Sequence, residues 1–504
     1  MITVLYAFLA GAASAFAFEP TGLWPLLLLA FAALCELLFR TRAVGRALLI
    51  GWAFGLGQFV VGLNWIATAF TYQAAMPAWL GWIAVVLLSL YLAVYPALAA
   101  GLAWRLSRSD RTILVVVLGG AWAICEWLRG TMFTGFPWNP AGAALASTPL
   151  IRATPLIGTY GLSGLAALLG GALWLGYRRK WLPLVLIIAV SVLLTAVPAS
   201  SVPPDPLTVM NVRIVQPNIG QQDKWRPGFA DEAAQRLARL SNQDATENRL
   251  VLWPEAAVVE PLEIDKIDTV RRAMVPIERM NAAASVGPSD LLVTGGLALI
   301  TDADGRIVGA TNSVFAFRPT GELIGRYDKA HLVPYGEYLP MRPLLSSIGL
   351  SRLAPGDLDF AAGPGPRTID LPGFGRMGVE VCYEIIFSGE VVDATHRPNF
   401  IFNPSNDAWF GRWGPPQHLA QARLRAAEEG LPVLRSTPTG ISALIDARGH
   451  LLKSLPWRTA GTIDAVLPPA ANSPPPFARF GNVIPLLLGF MLIIGGIVLG
   501  RRRR

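Results

Sequence analysis

Cys382 is the residue whose type and setting best suit covalent chemistry. It follows the apolar run 377–381 and precedes Tyr383 and Glu384. A nucleophile that ends a strand is held by the sheet while its side chain faces a cleft. Because a cysteine thiol is mostly protonated at neutral pH, it needs a nearby base. A buried core cysteine would give the same local pattern, and this segment alone leaves both interpretations open.

Glu255 and Lys329 could complete such a site. Glu255 follows the apolar run 250–253 and Pro254, and apolar flanks suit a carboxylate to general-base work. Lys329 could place positive charge where a tetrahedral oxyanion develops. Glu337 is a second carboxylate eight residues further on. Each of these charges could instead be a solvated surface group.

The cysteines and histidines predict neither a disulfide nor a metal site. Of three cysteines, Cys35 and Cys125 fall inside apolar stretches, which leaves Cys382 alone in the polar half of the chain. The four histidines are scattered without the spacing of metal ligands. We therefore expect no metal and no cofactor.

The elements that position these residues begin with a membrane part. Of the 504 residues, 53% are hydrophobic and 15% are charged, whereas soluble domains carry roughly 25% charged residues. A helix needs about 20 apolar residues to cross the hydrocarbon core. The predicted spans are 2–18, 22–39, 47–68, 78–103, 112–128, 156–176, 181–198 and 484–500.

The basic residues predict the orientation of these spans. The net charge of +8 is concentrated in loops beside apolar stretches, which indicates topology and not nucleic-acid binding. Arg129 and Arg152 are exceptions on the opposite side. By the positive-inside rule, the basic loops are cytoplasmic and the segment from about 200 to 483 is exported. The basic loops contain Arg40, Arg42 and Arg46; Arg105, Arg108 and Arg111; Arg178, Arg179 and Lys180; and Arg501 to Arg504.

The polar segment predicts an α/β domain, because short β-rich runs alternate with helical patterns at 231–240 and 417–430. The predicted strands are 209–215, 250–253, 291–299, 312–317, 376–382, 399–403 and 441–446. The predicted organisation is a seven-helix membrane domain at 1–199, a linker at 200–207, a catalytic domain at 208–467, a linker at 468–483, and an eighth helix with a basic tail at 484–504.

Glu255, Lys329 and Cys382 occur in that order, separated by 74 and 53 positions. The local motifs around them are Trp-Pro-Glu at 253–255, Lys-x-His-Leu-Val-Pro at 329–334, Cys-Tyr-Glu at 382–384, Asn-Asp-Ala-Trp-Phe-Gly at 406–411 and Thr-Gly-Ile-Ser at 439–442. Residues 208–467 thereby resemble the nitrilase, or carbon-nitrogen hydrolase, superfamily. The resemblance implies a Glu-Lys-Cys triad on a four-layer α-β-β-α sandwich.

Motifs outside the triad indicate which family within the superfamily the chain resembles. They are Gly-Phe-Pro-Trp at 135–138, Tyr-Gly-Leu-Ser at 160–163 and Gln-x-x-Ile-x-Gln-x-x-Lys-Trp at 216–225. With eight predicted spans around one exported domain, nearly the whole chain resembles the apolipoprotein N-acyltransferases. Members of that family transfer an acyl chain from a phospholipid, typically phosphatidylethanolamine, through a cysteine thioester. The acceptor is the N-terminal amine of a lipoprotein's diacylglyceryl-cysteine. The resemblance also implies the bacterial inner membrane, with the catalytic domain periplasmic.

The resemblance assigns roles by matched position. It implies Glu255 as general base, Lys329 as oxyanion stabiliser and Cys382 as nucleophile. Glu380 departs from the apolar strand residue expected beside the nucleophile. The further positions on which the resemblance places supporting residues are Glu337, Tyr383, Glu384 and Trp225.

Two aromatic segments are candidates for contact with lipid. One holds Phe136, Pro137 and Trp138, and the other holds Trp409, Phe410 and Trp413. We expect the second segment and the apolar stretch 338–362 to form arms over the cleft. An interfacial aromatic belt for the first segment, and ordinary packing for the arms, are equally compatible with the sequence.

Two other functions remain alternatives. A membrane-tethered nitrilase or amidase would share the triad, but it needs no multi-helix lipid platform. A transporter with an exported sensing domain would need polar residues along a path through the membrane. Charged residues within the spans are sparse, mainly Glu36 and Glu126 near span ends.

Overall fold

The computed structural model describes residues 2–502 apart from 73–76, 108–109, 197–209, 224–225, 227, 243–247, 266–268, 348, 350 and 354–358. The predicted linker at 200–207 therefore lies outside the described residues, as does Trp225.

The membrane part is helical at every predicted span. Among the described residues, five helical segments are long and apolar enough to cross a bilayer, namely Val44–Gly62, Leu80–Ser107, Arg111–Thr131, Pro149–Tyr177 and Val483–Arg501. The remaining three predicted spans form shorter apolar helices. The helices of this part are α1 (Ile2–Ser14), α2 (Pro25–Phe39), α3 (Val44–Gly62), α4 (Trp65–Ala69), α5 (Leu80–Leu92), α6 (Val94–Ser107), α7 (Arg111–Thr131), α8 (Thr154–Tyr177) and α9 (Trp181–Thr195).

The second part combines strands with helices, as the alternating pattern predicts. Its helices are α10 (Phe229–Ser241), α11 (Thr269–Ala283), α12 (Arg342–Ser347) and α13 (Gly414–Glu429), after which α14 (Pro476–Phe480) and α15 (Val483–Arg502) return the chain to the membrane part. Its strands are β1 (Asn211–Gln216), β2 (Arg249–Leu252), β3 (Glu263–Asp265), β4 (Leu291–Thr301), β5 (Ile307–Phe317), β6 (Leu323–Asp328), β7 (Thr368–Leu371), β8 (Gly375–Val379), β9 (Phe400–Pro404), β10 (Val433–Ser436), β11 (Ala443–Ile445), β12 (Leu451–Ser454) and β13 (Gly461–Val466).

These strands form two mixed sheets. The first has the order β13-β1-β2-β4-β5-β6, with β3 also paired to β4, and the second has the order β12-β11-β10-β9-β8-β7. The central pairs β1–β2, β2–β4, β8–β9 and β9–β10 are parallel. Parallel central strands require crossovers, which is why helices lie between them along the chain.

Side chains alternate between the two faces of each strand, and this alternation lets the two sheets pack face to face. In β2, Leu250 and Leu252 point into a core that includes Val379 and Phe402 of the second sheet. Val251, between them, points the other way and packs with Leu237 of α10 and Ala283 of α11. Because side chains alternate with a period of two, one strand serves both cores. With α13 on the outer face of the second sheet, the layers follow the order α-β-β-α.

Helix α13 joins the catalytic domain to the membrane part. All its residues except Pro416 and Arg423 are buried. Leu419, Ala422 and Ala426 pack on the second sheet, whereas Ala420, Leu424 and Ala427 pack with the membrane helices. These two sets follow the three- and four-residue spacing of two neighbouring helix faces. A helix buried on two neighbouring faces therefore joins the α/β domain to the membrane part.

The structure corrects several expectations about elements. The strand predicted at 376–382 ends at Val379, so Cys382 begins a short 3-10 turn (Cys382–Ile386) instead of ending a strand. Strands β3, β6, β7, β10, β12 and β13 and helix α11 were not predicted. Most of these strands are short or lie at sheet edges, where half-exposed residues weaken the apolar signal.

Gly158 allows a kink in α8 that no other residue type would tolerate well. Its φ is +66°, and an added Cβ would lie 2.1 Å from the ring of Phe477, which fills the notch. We expect Gly158→Ala to lower the melting temperature of the detergent-solubilised protein, since a non-glycine residue in this region costs of order 1–3 kcal/mol. Gly45→Ala in α3 is the control, because nothing lies within 4 Å of the added methyl. Equal melting temperatures would contradict this account of the kink.

Candidate active site

The three predicted catalytic residues converge although they come from different parts of the two sheets. Glu255 follows β2, Lys329 follows β6, and Cys382 opens the turn that begins three residues after the end of β8. All three are buried: Glu255 and Cys382 are 5% exposed and Lys329 is 1% exposed. Both charges act on the thiol, since Glu255 and Lys329 are among the groups that shift the pKa of Cys382.

Lys329 is held between two carboxylates. Its Nζ lies 2.9 Å from Oε1 of Glu337 and 3.6 Å from Oε1 of Glu255. Asn312 donates from Nδ2 to both carboxylates, at 2.7 Å for Glu255 and 2.9 Å for Glu337. The backbone N–H of Val333 donates to the other oxygen of Glu337. These contacts hold Lys329 and the two carboxylates in fixed positions.

The environment keeps Lys329 protonated. Burial alone would lower the pKa of its ammonium group, but Glu337 and Glu255 outweigh burial and raise that pKa. Lys329 therefore acts as a fixed positive charge and not as a proton acceptor. Within the described residues, Oε2 of Glu255 has no hydrogen-bond partner in the protein. That oxygen is available to take a proton.

The surroundings of Cys382 favour the neutral thiol. Burial and the negative charge of Glu255 raise the thiol's pKa well above its ordinary value, while Lys329 acts in the opposite direction. The backbone of Asn406 also lowers the thiol's pKa, but less than burial and Glu255 raise it. A neutral thiol needs a base at the moment of attack, which is the task that a free carboxylate oxygen can perform.

The backbone at Cys382 is in the left-handed region, with φ of +53°. Residues other than glycine rarely adopt this conformation, and such strain is concentrated at functional sites. Sequence reasoning missed this feature because no glycine or asparagine marks the position.

Glu384 ties the nucleophile turn to the segment that carries Lys329. Its Oε1 accepts hydrogen bonds from the hydroxyl of Tyr327 and from the backbone N–H groups of Ala330 and His331. Its Oε2 accepts from the backbone N–H of Val381. Although burial raises the pKa of this carboxyl group, the four donors suit its charged form. Glu384 thus sets the spacing between Lys329 and Cys382.

The turn is also fastened to the membrane part. The hydroxyl of Tyr383 donates to the backbone oxygen of Gly135 at 3.2 Å, and Nε2 of His331 lies 2.9 Å from the backbone oxygen of Thr134. His331 stacks on Phe387 of the same turn. The loop after α7 therefore lies directly beside the nucleophile.

Pro137 and Trp138 lie inside the protein, which corrects the expectation that they contact lipid. Trp138 is 0% exposed and donates from Nε1 to Gln417 of α13 at 2.8 Å. Its ring packs on Trp65 and Phe410. These residues fill the junction of the two domains. Phe136 is only partly buried and lies near the ring of Tyr383.

The segment 409–413 packs on the membrane helices in this structure. Trp409 contacts Tyr72, and Trp413 contacts Phe16 of the membrane part. All three aromatic residues of the segment are partly buried. Of the other predicted arm, α12 has no buried residue, and Met341 and Leu344 are largely exposed.

Glu380 lies buried beside the site, where burial and Glu384 raise its pKa well above the ordinary value. Burial and the neighbouring carboxyl group both favour the neutral form of Glu380. Within the described ranges, no three His, Cys, Asp or Glu side chains are placed to hold a metal ion. The arrangement suits acyl transfer through a thioester, with Glu255 moving protons and Lys329 stabilising an oxyanion.

Comparison with known proteins agrees with this architecture. Residues 10–172 match the apolipoprotein N-acyltransferase N-terminal domain, and residues 211–471 match the carbon-nitrogen hydrolase family. Apolipoprotein N-acyltransferase of Rhodopseudomonas palustris is 34% identical over 99% of this chain and 95% of its own. That of Caulobacter vibrioides is 36% identical over 99% of this chain and 94% of its own. The structure of Nit3 from Saccharomyces cerevisiae, a member of the nitrilase superfamily, is 21% identical, with a TM-score of 0.37 over 58% of this chain and 97% of that one.

The Glu255→Gln variant should separate thiol ionisation from proton transfer. Removing the negative charge lowers the pKa of Cys382, because Glu255 is one of the groups that raises it. We expect the pH midpoint for alkylation of Cys382 by iodoacetamide to fall, while turnover is lost with the base. Peptide mass spectrometry quantifies the alkylation, and Glu322→Gln at an exposed position is the control. A midpoint that stays or rises would contradict the assigned electrostatics.

Proposed function

The chain belongs to the apolipoprotein N-acyltransferase family, and we propose that it moves an acyl chain from a membrane phospholipid to the N-terminal amine of diacylglyceryl-cysteine in apolipoproteins. The observation that carries this proposal is the buried Cys382 turn, which is hydrogen-bonded to loop 134–135 of the membrane part. A nucleophile in that position lies where substrates held in lipid can reach it.

The first half-reaction forms a thioester. The thiol sulfur of Cys382 attacks the ester carbonyl of the phospholipid while Glu255 takes the thiol proton. The carbonyl oxygen becomes an oxyanion beside the ammonium group of Lys329. When the carbon–oxygen ester bond breaks, Glu255 returns the proton to the leaving alkoxide. The products are the acylated enzyme and a lysophospholipid.

The second half-reaction transfers the acyl chain. The free amine of the apolipoprotein attacks the thioester carbonyl, and Glu255 accepts a proton from that nitrogen. Collapse of the second oxyanion breaks the carbon–sulfur bond, and the proton passes to the thiolate. Using one covalent intermediate lets two bulky lipid substrates occupy the same site in turn.

The supporting residues hold the catalytic side chains in position. Glu337 and Asn312 hold Lys329 and Glu255 at fixed separation. Glu384 connects the turn at Cys382 with the backbone after Lys329. We assign no role to Trp225, which the family resemblance predicts to be required. The donor is proposed to be phosphatidylethanolamine, on the family resemblance.

An inner-membrane topology of eight spans, with a periplasmic catalytic domain and a cytoplasmic C-terminus, is part of the proposal. Arg40 and Arg178, from two different basic loops, both pair with Glu36. Gly489 packs against Gly120, and near the other end of α15 Gly500 faces Ile113 at the start of α7. These contacts place loop 40–46 beside loop 178–180, and the C-terminal end of α15 beside the start of α7. Each pair of basic segments therefore shares a side, which supports a common cytoplasmic face.

The lipid entrance is proposed to lie beside α12. Phe133 at the end of α7 is 86% exposed, and its neighbour Thr134 contacts His331 next to the site. Tyr335, Met341 and Leu344 add exposed apolar surface in the segment that follows. Clustered exposed apolar side chains are typical of membrane-contact surfaces. The amidase alternative leaves this surface and the membrane part unexplained.

Cys382→Ser tests the covalent step. We expect the wild-type protein, incubated with a phospholipid labelled in its acyl chain, to carry a hydroxylamine-sensitive label that the variant lacks. Cys125→Ser, at a buried cysteine of α7, is the matched control and should retain the label. Gel fluorescence and peptide mass spectrometry measure it. A thioester label that persists in Cys382→Ser would overturn the assignment of the nucleophile.

Photo-cross-linking tests the lipid entrance. Benzoylphenylalanine in place of Leu344 should cross-link to a phospholipid added in its bilayer form, because that side chain is 60% exposed beside the proposed entrance. The same group at Ile277, which is 48% exposed on α11, is the control, since α11 covers the sheet away from the membrane part. Equal labelling at both positions, or none at residue 344, would exclude α12 as the entrance.

A further inference from the structure

A fully buried cluster of three polar side chains lies behind the nucleophile. Asp407, His418 and Arg435 each have completely buried side chains. Arg435 donates from Nη2 to both carboxylate oxygens of Asp407, at 2.8 and 2.7 Å. Its Nη1 also donates to Asn403 and Ser405 of the preceding segment. Burying charges is expensive unless they are paired and hydrogen-bonded, and these are.

His418 connects this cluster to the nucleophile. Its Nε2 lies 3.0 Å from the backbone oxygen of Cys382, and its Nδ1 lies 2.9 Å from Oδ1 of Asp407. A carbonyl oxygen can only accept a hydrogen bond, so the proton must be on Nε2. Burial and Arg435 lower the pKa of His418, and Nη2 of Arg435 lies 3.0 Å from Nδ1. The ring therefore donates from Nε2 to the nucleophile's own carbonyl.

The segment that contains Asp407 also acts on the sulfur of Cys382. The backbone of Asn406, which precedes Asp407, acts on the thiol of Cys382 and lowers its pKa. Segment 406–407 therefore acts on Cys382 at two points: Asn406 acts on the thiol, and Asp407 acts through His418 on the carbonyl. The φ of Cys382 is +53°, a conformation that needs support from its surroundings.

The ring of His418 packs against two aromatic side chains, one from each domain. Trp138 lies 5.2 Å from it and Phe410 lies 5.8 Å from it, measured between ring centroids. Trp138 belongs to the loop after α7, whose backbone accepts the hydrogen bond of Tyr383 at Gly135. The position of His418 therefore depends on both domains.

We propose that His418 is a positioning residue for acyl transfer: its Nε2–H donates to the carbonyl of Cys382 and thereby holds the nucleophile in its left-handed conformation, with the sulfur directed at the acyl carbonyl. His418 does not exchange protons with substrate. Its contribution is the orientation of the sulfur relative to Glu255 and Lys329.

A structural role in the core would make a different prediction. If His418 only filled space and satisfied Asp407 and Arg435, any polar residue that kept those contacts would preserve activity. Under the proposal, only a residue with a donor at the Nε2 position preserves it. Glutamine places its amide nitrogen as many bonds from the backbone as Nε2, whereas the shorter asparagine reaches only as far as Nδ1. His418→Gln and His418→Asn are therefore matched variants.

The experiment uses the full-length protein in detergent and measures single-turnover thioester formation at Cys382 from a phospholipid labelled in its acyl chain. We expect His418→Asn to lower the maximal acylation rate by about 100-fold, the scale of loss for a misplaced reacting group. The lipid concentration at half-maximal rate should change little. His418→Gln should remain within about tenfold of wild type. Melting temperatures report whether each variant folds.

Three outcomes would overturn the proposal. They are equal rates for the two variants, losses that follow the melting temperature, and a change confined to half-saturating lipid. Alkylation of Cys382 by iodoacetamide serves as a lipid-independent measurement and should show the same order of the variants. If wild type formed no thioester, the proposed function would fail, while the alkylation rates would still decide the role of His418.

Discussion

The burial of α13 on two faces is the constraint on which the rest of the structure depends. One face covers the second sheet, and the neighbouring face packs on the membrane helices. The contact is also polar, since Glu428 accepts a hydrogen bond from the backbone N–H of Thr159, next to the kink at Gly158. The catalytic domain is therefore seated in one orientation against the membrane part.

That orientation brings the nucleophile turn to loop 134–138. The contacts of Tyr383 and His331 with this loop are made by residues next to Cys382 and Lys329. Here the triad lies at the junction with the membrane part, and this location connects the chemistry to lipid substrates.

The charge balance inside the site depends on the pairing of one lysine with two carboxylates. Lys329 carries one positive charge between Glu337 and Glu255, and burial strengthens these interactions because water does not screen them. The same burial disfavours a free thiolate at Cys382, so ionisation and attack must coincide. Glu384 adds a buried carboxyl group whose two oxygens accept four hydrogen bonds.

The sequence by itself determined the helices of the membrane part, the α/β class of the second domain, and the family, because apolar length, strand alternation and the motifs around Glu255, Lys329 and Cys382 are local. It did not determine where Trp138 lies. An aromatic residue near a span end suits an interface with lipid, and only the packing of Trp138 on Trp65 and Gln417 places it between the domains.

Only the tertiary structure decided the conformation of Cys382 and the contacts of His418. The left-handed φ at Cys382 has no marker in the local sequence, and His418 stands alone in the chain without the spacing of a ligand set. Both depend on residues tens of positions apart that meet when α13 packs behind the turn. Long-range burial, which no local pattern encodes, sets the geometry of the site.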